Sequence, residues 1–476
     1  MDEQKKQESQ EKQEKQGKQE KQRKRLSRRN IRIIQAAVFL LAVIVVGFIV
    51  FGDSIANRPK LDYEYGTSTV FGPTYPDAAF AVISDLHLYD ASLGSAGEAF
   101  EEVKRSDRKL LLESMDLLDL AIEQILVSNA EFLLVSGDLT KDGELINHRL
   151  VAEKLAVLNE AGIKVYVTPG NHDVNNPEAF SFSGREKTPV QSVSPEEFAE
   201  IYADFGYGEA LSRDTNSLSY LAEPIPGLWL LSIDACRYRE NKTGQALINS
   251  GKISQATLNW ITGILKEAQQ RGIPVMAMMH HGVVEHWEGQ AKLHPDYLIE
   301  DYRYFGRFLA SYDVRLVFTG HYHAQDVTQG IFTGGKYIYD VETGSLVTPP
   351  CPIRYCFLFF GPFSADSVFI VDELYPETDF AENSRAFVKE LIMLEARNIL
   401  KEYNVSDADA DIIADAVGDA FVAHYNGEED PSERLPLDES RLSLWGRIVL
   451  STQRYVLEGL WKDLEPADNS VTLGLE

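Results

Sequence analysis

Residues 80–87 read FAVISDLH, an apolar run that ends in two polar residues, Asp85 and His87. The apolar part has the length and composition of a buried strand. Only one residue separates Asp85 from His87, so both side chains can project in the same direction where the strand ends. This stretch therefore predicts a strand that delivers two potential metal ligands to one edge of a sheet.

The same arrangement recurs four times along the chain. The segments are FLLVSGD at 132–138, VYVTPGNHD at 165–173, PVMAMMHH at 274–281 and LVFTGHYH at 316–323. Each is an apolar run that ends in Asp, Asn or His. Helix-like stretches such as 110–127 lie between the runs, and this alternation predicts an α/β fold. An open α/β sheet presents its functional groups at the carboxyl ends of its strands.

Each polar block taken alone has an ordinary explanation. A Gly-Asp pair is common in turns, and a histidine at the end of an apolar strand is often a hydrogen-bonded core residue. Five blocks at successive strand ends contain six of the ten histidines, and each would leave a polar group near the core in need of a partner. We therefore interpret them as parts of one site.

In this order, the D-x-H, G-D, G-N-H-D, H and G-H-x-H blocks resemble those of the calcineurin-like metallophosphoesterase superfamily. The resemblance covers about residues 77–372. It implies a two-sheet α/β sandwich core and an active site with two divalent or trivalent metal ions. Oxygen and imidazole ligands without sulfur favour Mn, Fe or Zn.

The resemblance also implies which residues bind each metal ion, with Asp138 bridging the two. The first ion would be bound by Asp85, His87, Asp138 and His323, and the second by Asp138, Asn171, His280 and His321. His280 is preferred over His281 because the family's ligand is usually the first histidine after the strand. His281 would then line the pocket or support the ligands.

The resemblance assigns a catalytic role to His172, which would stabilise or protonate the leaving oxygen. Asp173 would hold the His172 ring in the correct tautomer. The alternative is that Asp173 only caps the following turn.

Residues 137–144 read GDLTKDGE and indicate the subfamily. Purple acid phosphatases carry a tyrosine ligand where this chain has Lys141. The run looks like that of cyclic-nucleotide phosphodiesterases, closest to secreted or membrane-attached bacterial members with a C-terminal helical domain. We expect a small phosphodiester substrate, a nucleotide. The alternatives are a broad phosphodiesterase or phosphomonoesterase, and a membrane-anchored binding protein with a degenerate site, which would lack some ligands.

The N-terminal region predicts a membrane anchor. We expect residues 1–32 to be a disordered basic tail, and residues 33–51 are an apolar stretch long enough to span a bilayer core. The positive-inside rule places the tail in the cytoplasm and the catalytic part outside it, in a single-pass signal-anchor topology. A cleaved signal peptide is the alternative, because Ser54-Ile55-Ala56 is a small-x-small site.

After a linker at 52–76, we expect a metallophosphoesterase domain at 77–375 and a C-terminal helical domain at 376–476. The helical domain is expected from the amphipathic periodicity of its apolar residues. Residues 174–223 are long for a connector, and we expect them to form a cap over the metal ions. A surface insertion without function is the alternative.

Charge and cysteine content exclude other classes of protein. Residues 1–32 carry 12 Lys or Arg against six Asp or Glu, which leaves 34 against 67 in the remainder. So acidic a body repels nucleic acid, and we expect no nucleic-acid binding. The three cysteines are too few for a disulfide framework, although Cys351 and Cys356 could pair outside the cytoplasm. The sequence leaves the oligomeric state open.

Overall fold

The computed structural model describes residues 61–67, 72 and 74–475. The predicted tail at 1–32 and the predicted membrane segment at 33–51 lie outside the described residues. No helix within the described part of the chain has both the length and the apolar character needed to cross a membrane.

The strands follow the apolar runs of the sequence closely in the first half of the chain. In chain order they are β1 Ala78–Ile83, β2 Phe132–Val135, β3 Lys164–Val167, β4 Phe180–Ser183, β5 Glu186–Pro189, β6 Ser212–Arg213, β7 Tyr220–Ile225, β8 Leu228–Ile233, β9 Val275–Met279, β10 Leu316–Thr319, β11 Asp326–Phe332, β12 Lys336–Glu342, β13 Pro352–Leu358, β14 Phe363–Phe369 and β15 Ser470–Leu473.

Two mixed sheets form the core. One has the order β15-β14-β13-β1-β2-β3, and the other has the order β11-β12-β10-β9-β8-β7-β6. Strands β1, β2 and β3 are parallel, as are β8, β9, β10 and β12. The sheets pack against each other, since Phe80 in β1 makes an edge contact with Phe318 in β10 at a ring-centroid distance of 5.4 Å. The parallel strands are buried, which explains their continuous apolar runs.

The runs at 336–341, 355–360 and 367–371 come without long helices between them, which suggests antiparallel strands that close a second sheet. This prediction is wrong in part. Strand β12 does join the second sheet, but it pairs in parallel with β10 on one side and antiparallel with β11 on the other. Strands β13 and β14 instead extend the first sheet beside β1. An apolar run identifies a strand but not its partner, because pairing depends on contacts far along the chain.

The helices lie between and after the strands. In chain order they are α1 Glu98–Ser106, α2 Ser114–Leu126, α3 Leu145–Glu160, α4 Pro195–Ile201, α5 Gln255–Arg271, α6 Gln290–Leu293, α7 Tyr302–Ser311, α8 Phe380–Glu402, α9 Asp407–Asn426 and α10 Leu444–Leu460. Helix α9 has clear end signals: the Ser406 side chain accepts a hydrogen bond from the Asp409 amide, and Gly427 ends the helix in the left-handed conformation.

The C-terminal helices pack on the core as well as on one another. The apolar cluster that joins α8, α9 and α10 also contains Trp287 and Tyr322, which lie next to the strand ends of the second sheet. The chain from Tyr63 onward is one compact unit. After α10 the chain returns to the first sheet as β15, a strand that helical periodicity alone did not predict.

Candidate metal centre

The blocks that end β1, β2 and β10 bring four potential ligand atoms together. Asp85 Oδ1 lies 3.3 Å from His323 Nε2 and 3.8 Å from His87 Nε2. The two imidazole nitrogens are 3.3 Å apart, and His87 Nε2 is 3.6 Å from Asp138 Oδ2. Bonds of about 2.1 Å from one ion to tetrahedral ligands place those ligands about 3.4 Å from each other. The four residues predicted for the first metal ion therefore have the spacing of a metal site.

The second predicted set lies on the other side of Asp138. His280 Nε2 is 3.2 Å from Asp138 Oδ2 and 3.0 Å from Asn171 Oδ1. A ligand nitrogen of His321 lies within 4.8 Å of the facing atoms of Asp138 and His280. All four side chains are buried. The structure thus places the seven predicted ligand residues in two groups that share Asp138.

Asp138 uses its two oxygens differently. Oδ2 faces His87 on one side and His280 on the other, whereas Oδ1 accepts a hydrogen bond of 2.9 Å from the His172 backbone amide. Oδ2 therefore faces both groups of predicted ligands, and Oδ1 secures the carboxylate to the loop after β3.

Buried atoms without partners show that this site suits cations. Asp85 is fully buried, and its Oδ1 has no hydrogen-bond partner. Its other oxygen accepts from the Ser84 hydroxyl at 2.6 Å and from the His321 amide at 3.0 Å. A buried carboxylate oxygen without a partner is costly, and a metal ion would remove that cost. The residues present therefore fit two divalent cations.

The ligand residues have an unusual backbone. Five of them have positive φ angles, namely Asp85 at 52°, His87 at 37°, Asp138 at 50°, His321 at 76° and His323 at 66°. Non-glycine residues rarely adopt this left-handed region, and such strain concentrates at functional sites. The sharp turns allow side chains from neighbouring strand ends to converge on one point.

Two glycines allow this close approach. A Cβ atom on Gly170 would lie 2.0 Å from Asp138 Oδ1, and one on Gly320 would lie 2.0 Å from the Ser84 hydroxyl. The glycines of the G-N-H-D and G-H-x-H blocks are therefore required by space rather than by turn geometry alone.

Burial and neighbouring charges set the protonation of the ligands. Burial and the nearby Lys109 hold the pKa of His87 well below its usual value, so His87 is neutral and able to bind a metal ion. Burial opposes the charge of His280, but the Asp138 carboxylate raises its pKa to about 9.

His172 lies at the edge of the centre and is held by a carboxylate that the sequence analysis did not assign. Its Nδ1 is 2.8 Å from Asp142 Oδ1, and its side chain is 20% exposed. Asp142 is paired in turn with the buried Lys141. The GDLTKDGE run contained both residues, but its spacing did not indicate which carboxylate reaches the imidazole.

Asp173 does not occupy the predicted position beside the His172 ring. Its Oδ2 accepts hydrogen bonds from the amides of Gly170 and Leu139, and its Oδ1 accepts from the amide and the hydroxyl of Thr140. Burial and the nearby Asp138 carboxylate raise the pKa of Asp173 to about 7. Asp173 therefore joins the loops after β2 and β3, because the chain turns its side chain away from the imidazole.

His281 supports the second group rather than completing it. Its Nε2 lies 2.8 Å from the Asn249 carbonyl, and the Asn249 side chain accepts a hydrogen bond of 3.3 Å from Asn171 Nδ2. That bond leaves Asn171 Oδ1 directed at His280. The loop containing Asn249, which the sequence analysis did not identify, thus orients a predicted ligand.

The centre opens into a cleft of about 510 Å³. Basic side chains in its wall are Arg108, Lys109, Lys141 and Lys187, and aromatic side chains are Phe180, Phe182, Tyr297, Tyr322 and Tyr425. Of the predicted cap at 174–223, the β4–β5 hairpin contributes Phe180, Phe182 and Lys187. Helix α8 contributes to the rim indirectly, because Glu395 lies 3.5 Å from Arg108.

Residues 78–325, a little over half of the chain, match the family model of the calcineurin-like phosphoesterases. The chain belongs to this family. The phosphoesterase is therefore a hydrolase by family, and its grouped carboxylate and histidine side chains support divalent metal ions as cofactors. The core is the α/β metallophosphoesterase core that the sequence predicts.

Solved structures similar to this phosphoesterase are distant. A dimetal phosphatase from Danio rerio is 17% identical, with a TM-score of 0.43, and the match covers 62% of this chain and 96% of that one. A purple acid phosphatase from yellow lupin, Lupinus luteus, is 11% identical, with a TM-score of 0.38 and coverages of 62% and 52%. No curated protein matches the sequence.

The three cysteines of the phosphoesterase are free thiols. Cys351 and Cys356 are buried and are not joined to each other. The pairing that the sequence left open is therefore not formed in this structure.

Proposed function

We propose that this phosphoesterase hydrolyses phosphodiester bonds of small substrates, and that these substrates are cyclic nucleotides. The observation that supports the proposal most strongly is the cleft, in which both ligand groups lie at the base and basic and aromatic side chains form the wall. A phosphate, a sugar and a base each have a suitable surface there.

Asp85, His87, Asp138 and His323 would hold one metal ion, and Asp138, Asn171, His280 and His321 the other. Two bound divalent ions supply a nucleophile at neutral pH and stabilise the charge that develops on the phosphate. The protein determines where the positive charge of the ions would lie, because Asp138 Oδ2 faces both groups of ligand residues.

His172 is the residue placed to assist the leaving oxygen. Asp142 occupies Nδ1, so Nε2 is the nitrogen left to face the cleft. A proton held at Nε2 can pass to the departing alkoxide of a ribose, which is a poor leaving group without protonation. Asp142 and Lys141 fix the orientation of the ring during this transfer.

The basic wall of the cleft offsets the acidic body of the protein. Residues after the first 32 carry 34 Lys or Arg against 67 Asp or Glu, a balance that repels anions at long range. Arg108, Lys109 and Lys187 line the cleft, each paired with a carboxylate of Glu395, Asp107 or Glu102, and they are the cationic groups nearest to a phosphate bound there. This combination favours a small anion over a nucleic acid.

Aromatic side chains favour a nucleotide over a simple phosphomonoester. Phe180 and Tyr297 line the cleft and remain partly exposed, and aromatic rings at such positions can stack with a base. The Tyr297 ring also packs against His321 and Tyr322. A phosphomonoesterase needs no such surface. Broad phosphodiesterase or phosphomonoesterase activity is the second candidate because the metal site itself accepts either class of ester.

The test compares kcat/KM for 2',3'- and 3',5'-cyclic nucleotides, bis-p-nitrophenyl phosphate and p-nitrophenyl phosphate, with Mn²⁺ and the full chain in mild detergent. We expect the highest value for a cyclic nucleotide. Phe180→Ala should lower that value by raising KM, and the matched control Phe360→Ala, at a site 80% exposed and outside the cleft, should not. A preference for p-nitrophenyl phosphate would contradict the proposal, and complete inactivity would favour a binding protein.

We also propose that the protein is a single-pass membrane protein with its catalytic part outside the cytoplasm. The support is the basic cluster at 23–29 followed by the apolar stretch at 33–51. Protease added to intact cells should then digest the catalytic part and leave the first 30 or so residues protected. N-terminal sequencing of the mature protein would separate an anchor from a signal peptide cleaved after Ala56.

A further inference from the structure

A second cluster of metal-ligating side chains lies outside the catalytic centre, where β11 meets the C-terminal helices. Asp326 begins β11, His424 lies in the last turn of α9, and Glu429 follows shortly after that helix ends. Their exposed fractions are 1%, 0% and 7%. One potential ligand atom from each residue lies within 4.8 Å of those of the other two.

The hydrogen bonds within this cluster leave several atoms without partners. His424 Nδ1 lies 2.6 Å from Glu429 Oε1 and 3.9 Å from Asp326 Oδ2. Asp326 Oδ2, Glu429 Oε2 and His424 Nε2 are buried and have no hydrogen-bond partner. Each unpartnered oxygen belongs to a side chain that is more than nine-tenths buried. Such atoms are costly in a folded protein unless something binds them.

Carboxyl groups outnumber basic groups around the cluster. Asp463 and Asp468 act electrostatically on Asp326 and Glu429. Burial and these neighbouring carboxylates raise the pKa of Asp468 to about 10 and that of Asp463 to about 7.

The nearby basic groups contact only some of these carboxyl groups. His286 pairs at 2.6 Å with Asp326 Oδ1, which is the oxygen that faces away from His424. The Arg354 guanidinium donates to the carbonyls of Asp468 and Glu342, not to their carboxylates. The Asp326 oxygen nearest His424 therefore remains without a hydrogen-bonded basic partner.

We propose that Asp326, His424 and Glu429 bind a third divalent metal ion, separate from the catalytic pair. One imidazole and two carboxylates without sulfur suit Zn²⁺ or Mn²⁺. Asp463, whose buried Oδ1 has no hydrogen-bond partner, is the candidate for a fourth ligand. Binding would replace the contact between His424 and Glu429, since ligands of a tetrahedral ion stand about 3.4 Å apart.

The position of this site gives it a structural role next to the catalytic cleft. Tyr425 follows His424 directly and lines the cleft. The Gln325 amide, one residue before Asp326, donates a hydrogen bond of 3.3 Å to the Tyr425 carbonyl. His323 precedes Gln325 by two residues. An ion bound here would therefore hold α9 and its tyrosine against the segment that carries a catalytic ligand.

The test counts metal ions in the purified full chain by elemental analysis after removal of loosely bound metal. Asp138→Asn should release the catalytic pair and keep one ion, and Asp138→Asn combined with His424→Ala should keep none. Retention of the same ion by the double variant would overturn the proposal, as would an Asp138→Asn variant that holds no ion after incubation with Zn²⁺ or Mn²⁺. This count does not depend on the substrate or on any activity.

Matched variants guard against a general loss of folding. His294→Ala removes an imidazole that packs against Phe421, which lies in α9 as His424 does. His294 is not part of the cluster, so this variant should keep the ion bound. Glu429→Gln keeps the size of the side chain and should weaken Zn²⁺ binding at least about tenfold in chelator competition. Zn²⁺ should raise the unfolding temperature of the Asp138→Asn variant and of the double variant Asp138→Asn with His294→Ala. It should not raise that of the double variant Asp138→Asn with His424→Ala. Equal stabilisation of all three would contradict the site.

Discussion

The Nδ1 atom of His172 lies 2.8 Å from Oδ1 of Asp142, and the other oxygen of Asp142 is paired with the buried Lys141. This contact orients the imidazole and leaves Nε2 as the ring nitrogen that Asp142 does not engage. The residue next to His172 in sequence, Asp173, has its oxygens committed to the loops instead. The position of the His172 ring therefore depends on a carboxylate 30 residues away along the chain.

His172→Ala should keep both catalytic metal ions and lose on the order of 10²- to 10⁴-fold in kcat on a cyclic nucleotide, the usual contribution of a general acid. The loss should be much smaller on bis-p-nitrophenyl phosphate, because p-nitrophenolate departs without a proton. Steady-state kinetics and metal analysis check this. Equal losses on both substrates, or a missing metal ion, would move His172 into a ligand or positioning role.

Asp142→Asn should reproduce part of the His172→Ala effect, since Asp142 acts through the imidazole as a positioning residue. Burial and Lys109 oppose the charge of His172, but Asp138 and Asp142 raise its pKa. Removal of the Asp142 charge should lower that pKa, so the alkaline limb of the pH–rate profile for a cyclic nucleotide should move to lower pH. An unchanged profile together with a lower unfolding temperature would show a purely structural role.

Asp138→Asn should lose both metal ions and all activity, whereas Asp85→Asn should impair chiefly one. Asp138 Oδ2 is the oxygen that faces both ligand groups, and the amide reduces its charge while Oδ1 remains engaged with the His172 amide. Elemental analysis of the catalytic pair measures the difference. Two tightly bound catalytic ions in Asp138→Asn would refute the bridging role.

Asp173→Asn should destabilise the protein more than it alters the leaving-group preference. The carboxylate accepts four hydrogen bonds from donors in two loops, and an asparagine amide would face one pair of these donors with its own N–H groups. The loss of two buried bonds costs about 2–4 kcal/mol of the free energy of unfolding. Urea unfolding measures the cost. Unchanged stability with a selective loss on alkoxide leaving groups would support the role predicted from the sequence.

His148 should make the protein less stable in acid. Burial holds its pKa near 4, below the ordinary value of 6.5, while its ring contacts the Asp173 carbonyl and the Tyr202 hydroxyl. A group whose pKa is lower in the folded state than in the unfolded state binds a proton more readily after the chain unfolds, so acid favours unfolding. Its contribution is therefore complete above pH 6.5 and is lost as the pH falls toward 4, a difference of about 3 kcal/mol.

Urea unfolding between pH 7 and pH 4 measures this effect. The decline in the free energy of unfolding should be shallower in His148→Asn, which does not titrate in this range. Parallel curves for the two proteins would show that other groups cause the acid sensitivity.

Much of the core and of the candidate site could be predicted from local patterns. The runs before Asp85, Asp138, Asn171, His280 and His321 are continuous and apolar because the parallel strands are covered on both faces. Their polar ends must then emerge at one edge of a sheet. Short or partly polar strands such as Glu186–Pro189 and Ser470–Leu473 could not be recognised from the sequence. Pairing with a neighbouring strand stabilises them, and their composition shows no apolar run.

The sequence by itself determined the family blocks, the residue types able to bind two metal ions and the strand ends that present them. Strand periodicity and burial depend on neighbouring residues in the chain, so a local pattern is enough to show them. Only the tertiary structure decided that Asp142 rather than Asp173 contacts His172, that Asn249 orients Asn171, and that Asp326 meets His424 and Glu429. These contacts join residues up to about a hundred positions apart. Such pairs are selected by the packing of whole sheets and helices, and no local pattern in the chain encodes their direction.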